Sequence, residues 1–168
     1  MSHGQQVDIE LIVNNEPIQR RVPVRINLVD FLRNDLRLTG SHVGCEQGVC
    51  GACTVEVDGV MVRGCLMLAA QADGSTINTI EGFANNQRAT RLHDAFIKHN
   101  ALQCGFCTPG MMASAMEYLE RGGSADRRAI RQHISGNYCR CTGYQAIVDA
   151  IEEVARQCDA NTETDDAR

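Results

Sequence analysis

Apolar residues at Val7, Ile9, Leu11 and Val13 fall on one face of an extended segment, with Asp8 and Glu10 on the other. This period of two predicts a half-buried strand. Asn14 to Pro17 is turn chemistry, and Ile18 to Val24 reads as a second strand that closes a hairpin. The spacing then changes. Leu28, Phe31, Leu32 and Leu36 form a helical stripe within residues 27–38, with Asn27 placed to cap it and Asp30 in its first turn. Residues 53–66 predict two short strands about Asp58-Gly59, a strong hairpin signal. Ser75 to Phe83 can add one more, so the first half is a small sheet with one helix packed on it.

The second half is helical in pattern. Leu92, Ala95, Phe96 and His99 share a face. Residues 108–123 begin with Thr108 as the expected cap and Pro109 at the first helical position, and stop at Gly122-Gly123. Residues 126–134 and 142–158 supply two more helices, the last with Ile147, Ala150, Ile151 and Val154 on one side. Four short helices predict a compact bundle. Met111, Met112 and Met116 sit at helical spacing and are read as core. The pattern divides the chain into residues 1–82, residues 83–158 and a polar, acidic tail at 159–168 that is expected to fray.

Composition narrows the function. A net charge of −5 with no basic stripe argues against nucleic acid as a partner, and the absence of Trp with only 4% aromatics argues against binding by stacking. No basic segment followed by an apolar run opens the chain, and no apolar stretch is long enough to span a membrane. A cytoplasmic location is therefore expected, where thiols stay reduced. The nine cysteines, an odd number, then point to metal or cluster ligation rather than disulfides. The five histidines are scattered and are read as structural or surface residues.

Cys45, Cys50 and Cys53 are spaced C-x4-C-x2-C, and Cys65 follows beyond the Asp58-Gly59 hairpin. This is the plant-type spacing for a [2Fe–2S] cluster. Three thiolates from one loop must converge on a compact, net-negative core. Gly44, Gly48 and Gly51 permit the tight curl and let backbone N–H groups face the sulfurs. A zinc site expects two short, well-separated knuckles; only Cys50/Cys53 fits that, and Cys45 would be surplus. Cys104 and Cys107 pair with Cys139 and Cys141 as a second set, C-x2-C with C-x-C. Alone it could be a four-thiolate zinc site. Its position at two helix starts, where free N–H groups favour thiolate, and Arg140 between two of its members favour a second cluster. Cys158 is left over and is expected not to be a ligand.

Taken together, "GCEQGVCGACTV", Cys65, "LQCGFCTPGM" and "GNYCRCTGY" resemble the small iron–sulfur subunit of the molybdenum hydroxylases, the xanthine oxidase family, over about Val7 to Ala155. The length resembles the bacterial heterotrimeric members, such as those acting on quinoline or carbon monoxide. The resemblance implies an α+β chain: an N-terminal β-grasp, ferredoxin-like [2Fe–2S] domain followed by a C-terminal four-helix [2Fe–2S]-binding domain. It also implies a large subunit holding molybdopterin, expected as the cytosine dinucleotide, a medium subunit holding FAD, and a dimer of heterotrimers. Electrons would pass from molybdenum to the helical-domain cluster, then to the plant-type cluster, then to FAD. In the family a glutamine before the first cysteine of the helical set touches molybdopterin; here that residue is Gln103. No residue of this chain is expected to be catalytic towards substrate. A nitrogen heteroaromatic such as quinoline is the expected substrate of the complex, with carbon monoxide, an aldehyde or an aromatic acyl-CoA as alternatives. A free ferredoxin-like carrier is a different reading, but it would need only the first half of the chain.

Overall fold

The structure, a computed structural model, describes residues 4–165 and their side chains except those of 85 and 159–165. Strands β1 (Gln6–Val13) and β2 (Glu16–Pro23) pair antiparallel, with Val13 opposite Glu16. The turn is thus Asn14-Asn15 alone, tighter than the four residues expected. Both asparagines adopt positive φ, 51° and 70°, as a two-residue hairpin matched to strand twist requires. Ile9, Leu11 and Val13 are buried as the alternation predicts.

The expected helix over 27–38 is shorter and wider. Asn27 caps it, its side-chain oxygen accepting from the Asp30 N–H at 2.8 Å. One α-turn, α1 (Leu28–Asp30), passes into a π-turn over Phe31–Asp35, closed by Leu36 N–H to the Phe31 carbonyl at 3.2 Å. Arg37 at φ 61° then ends it, and Arg33 holds the departing chain by donating to the Thr39 and Ser41 carbonyls. Leu28, Phe31 and Leu32 join the core of the sheet half, and Val29 is fully buried as well.

Strands β3 (Thr54–Val57) and β4 (Val60–Arg63) form the Asp58-Gly59 hairpin. β5 (Thr76–Asn78) lies between β1 and β3, parallel to the first and antiparallel to the second. The sheet order is β2-β1-β5-β3-β4. A parallel neighbour for β1 demands a crossover, and α1 with the cysteine loop and the β3–β4 hairpin supply it.

Helices α2 (Gln87–Lys98), α3 (Thr108–Glu120), α4 (Arg127–His133) and α5 (Gln145–Asp165) build a separate core. Asn86 and Asp126 cap α2 and α4 through their side chains. α3 is capped differently from expectation: Cys107 occupies the cap position, Thr108 opens the helix and Pro109 follows. Pro is acceptable there because the first-turn N–H groups have no intrahelical partner. Met111 and Met116 are fully buried, and Ile147, Ala150, Ile151 and Val154 line the inner face of α5. The backbone of α5 continues to Asp165, into the segment expected to fray; no Gly or Pro follows Gly143 to stop it. Residues 166–168 lie outside the described residues. Among the described residues no helix is long and apolar enough to cross a membrane.

The two cores meet where β3 and β4 pack against α3. Met61 and Ile80 of the sheet half press against the helical core.

Candidate metal centres

The loop between the π-turn and β3 carries Cys45, Cys50 and Cys53, and Cys65 returns from the end of β4. Backbone N–H groups of Gln47 and Cys50 point at the Cys45 sulfur, each at 3.4 Å. They pull the Cys45 thiol down to about 7. Cys53 is 2% exposed, and burial pushes its thiol up to about 11, with Cys65 and Cys50 adding to the effect as neighbours. The chain has made room at this loop: a Cβ on Gly44 would stand 3.2 Å from the Cys50 sulfur.

The second set assembles between helices. Cys104 and Cys107 precede α3, and Cys139 and Cys141 precede α5. The Cys104 and Cys141 sulfurs lie 3.5 Å apart at an exposed edge. The Phe106 N–H lowers the Cys104 thiol, and the adjacent Cys104 raises Cys141. Deeper in, burial pushes Cys107 up to about 12, with Cys139 the next contributor. Burial also acts to raise Cys139, but the Thr142 hydroxyl, 3.1 Å from its sulfur, and nearby N–H groups outweigh it and hold the thiol low. Cys158 is half-buried against the helical core.

Among the described residues, no three His, Cys, Asp or Glu side chains gather as a single metal ion requires. Within each set the thiols neighbour one another: Cys53 lies beside Cys65 and Cys50, Cys45 beside Cys50, Cys104 beside Cys141 and Cys139, and Cys107 beside Cys139 and Cys104. In a [2Fe–2S] core each tetrahedral iron takes two bridging sulfides and leaves two positions for thiolates. Four thiols in each set match the number of thiolates that a two-iron core needs. When bound, such a core supplies a one-electron carrier. Because the buried thiols must lose protons to bind iron, loading becomes more favourable as pH rises.

Gln103 is exposed beside the second set, and its amide nitrogen donates to the Cys141 carbonyl at 3.1 Å. His42, read from sequence as structural or surface, joins the halves. Its ring stacks on Phe106 with centroids 4.7 Å apart, and its Nδ1 meets the Phe106 carbonyl at 2.7 Å. A carbonyl only accepts, so Nδ1 carries the hydrogen. No local spacing connects residues 42 and 106. Their proximity to the two cysteine motifs was the only available clue.

This fold and these two thiol sets define a two-domain [2Fe–2S] protein. Residues 11–79 match the family model described as a 2Fe-2S iron–sulfur cluster binding domain, and residues 79–152 match a second, described as a [2Fe-2S] binding domain. The chain is 51% identical over 152 residues to the caffeine dehydrogenase subunit gamma of Pseudomonas sp. (strain CBB1), covering 88% of this chain and 90% of that one. It is 47% identical over 156 residues to the nicotine 6-hydroxylase small subunit of Paenarthrobacter nicotinovorans, covering 93% and 94%. Quinoline 2-oxidoreductase from Pseudomonas putida 86 contains a chain that superposes with a TM-score of 0.86 at 45% identity, covering 94% of this chain and 98% of that one. The chain belongs to the small iron–sulfur subunits of the molybdenum hydroxylases, and so is part of a multi-subunit oxidoreductase.

Proposed function

We propose that the chain relays electrons between a molybdopterin-bearing large subunit and an FAD-bearing medium subunit. Cys45, Cys50, Cys53 and Cys65 hold one [2Fe–2S] cluster, and Cys104, Cys107, Cys139 and Cys141 hold the other. The helical set faces the molybdopterin subunit, and the plant-type set faces the flavin. The observation that carries this order is the exposed edge formed by Cys104, Cys141 and Gln103, where the Gln103 amide already reaches the Cys141 backbone. A partner's cofactor can approach that edge without crossing protein.

Two apolar rims support two separate docking faces. Leu102 and Phe106 are exposed beside the helical set, and Val49 and Leu66 beside the plant-type set. Side chains of this chain hold and shield the carriers. Substrate chemistry is assigned to the large subunit, which carries the molybdopterin. The relatives named for caffeine, nicotine and quinoline act, by those names, on nitrogen heterocycles. A nitrogen heteroaromatic is accordingly the proposed substrate of the complex, which assembles as a dimer of heterotrimers in the cytoplasm, with the cytosine dinucleotide form of molybdopterin.

The test is substrate-driven reduction of the assembled complex, frozen at intervals and read by electron paramagnetic resonance. The helical-set signal should appear first. In Gln103→Ala the loss of one neutral hydrogen bond, about 1 kcal/mol, should slow that first reduction roughly fivefold and leave the plant-type spectrum unchanged. Earlier reduction of the Cys45/Cys50/Cys53/Cys65 set would reverse the order.

A further inference from the structure

Asn137 is 2% exposed, two residues before Cys139, and it joins both halves of the molecule. Its amide nitrogen donates to the Gly51 carbonyl at 3.1 Å, inside the first cysteine loop, and to the Gly110 carbonyl at 2.9 Å, in the first turn of α3. Its oxygen accepts from the Ser114 hydroxyl at 2.8 Å and from the Arg63 guanidinium at 3.4 Å. Carbonyls only accept, so the two glycine partners determine which way the amide faces, and both ends of the side chain are satisfied. Arg63 also donates to the Gly136 carbonyl at 2.7 Å and contacts the Thr54 hydroxyl, which itself donates to the Gly51 carbonyl.

This network presses the backbones of the two cysteine regions together. A Cβ on Gly110 would lie 2.1 Å from the Gly51 oxygen, and a Cβ on Gly51 would lie 2.6 Å from the Asn137 amide nitrogen. Beside the clamp, the Tyr138 N–H donates to the Cys50 carbonyl at 2.8 Å. A ligand candidate of one set and the residue preceding a ligand candidate of the other are thus joined by one hydrogen bond. From the Cys50 sulfur to the Cys139 sulfur the route is otherwise covalent.

We propose that Asn137 is a positioning residue for electron exchange between the two clusters: its buried amide locks the Cys50-Gly51 turn against the Tyr138-Cys139 segment and so maintains the Tyr138 N–H to Cys50 carbonyl bond that couples them. In the exchange one electron leaves the donor cluster, which is oxidised by one, and enters the acceptor, which is reduced by one. No bond forms or breaks. Asn137 touches neither sulfur set through its side chain, so its effect is on spacing and coupling rather than on ligation.

The inference rests on the two-cluster reading, and one experiment separates the two. The full chain with both clusters loaded is compared with Asn137→Ala by iron content, by the magnetic interaction between the two reduced clusters at low temperature, and by hydrogen exchange at the Tyr138 amide. The variant should retain both individual cluster signals, show a weakened interaction, and exchange Tyr138 at least about tenfold faster. An unchanged interaction in a variant that holds both clusters overturns the proposal. Failure of the unaltered chain to hold both clusters overturns the underlying reading instead. If Asn137→Ala does not load, Ser114→Ala removes one of the two donors to the amide oxygen and leaves the amide in place; it should change both readouts in the same direction, with exchange about threefold faster, and no change in either overturns the proposal.

Discussion

Cys53→Ala is expected to abolish one cluster and leave the other. Cys53 sits at the buried end of the first set, beside Cys65 and Cys50. With three thiolates left, one iron of the proposed core would lack a ligand and the core would not persist. The second set shares no member with the first, since its thiols neighbour one another across Cys104/Cys141 and Cys107/Cys139. Iron should fall from about four to about two per chain. The electron paramagnetic resonance signal of the helical set should remain. Loss of both clusters, or of neither, contradicts the division of the cysteines into two sets.

Gly110→Ala should be the most damaging single-methyl change. The added carbon meets the Gly51 oxygen at 2.1 Å, the Gly51 carbonyl carbon at 3.1 Å and the Ala52 Cα at 3.2 Å. All three are backbone atoms, so no rotamer change relieves the clash. α3 must move away from the first cysteine loop, and the Asn137 bonds to both carbonyls lengthen with it. Overpacking of this kind costs about 3 kcal/mol, which for a chain of this size lowers the thermal midpoint by roughly 6–12 °C. Gly4, with nothing within 4 Å of its would-be Cβ, is the control and should tolerate Ala without measurable change. A midpoint within about 2 °C of the unaltered chain would show that the two regions are not held as tightly as the structure has them.

What could be read in the chain was what is local. The C-x4-C-x2-C run, the Asp58-Gly59 turn and the stripe on α5 each lie within one short segment, and period and spacing describe them directly. The π-turn after Asp30 escaped because the same apolar stripe suits a tighter helix. Arg33 reaching the Thr39 and Ser41 carbonyls, with Arg37 at positive φ, widens and ends it. The cap of α3 passed from Thr108 to Cys107 because the loop that brings Cys104 and Cys107 together sets where the helix begins. Asn137 was invisible as a clamp. Its partners Gly51, Arg63, Gly110 and Ser114 come from three other segments, and nothing in "GNYCRC" by itself says that the asparagine faces a loop more than eighty residues earlier. Its place between Gly136 and Tyr138, inside a cysteine motif, was the one available hint.

The most direct test of the central claim is the metal and sulfide content of the purified full chain, measured together with its visible spectrum. Two [2Fe–2S] clusters require about four irons and about four acid-labile sulfides per chain, with visible absorption that bleaches on reduction. About two of each with stoichiometric zinc, or a colourless zinc protein, would contradict it.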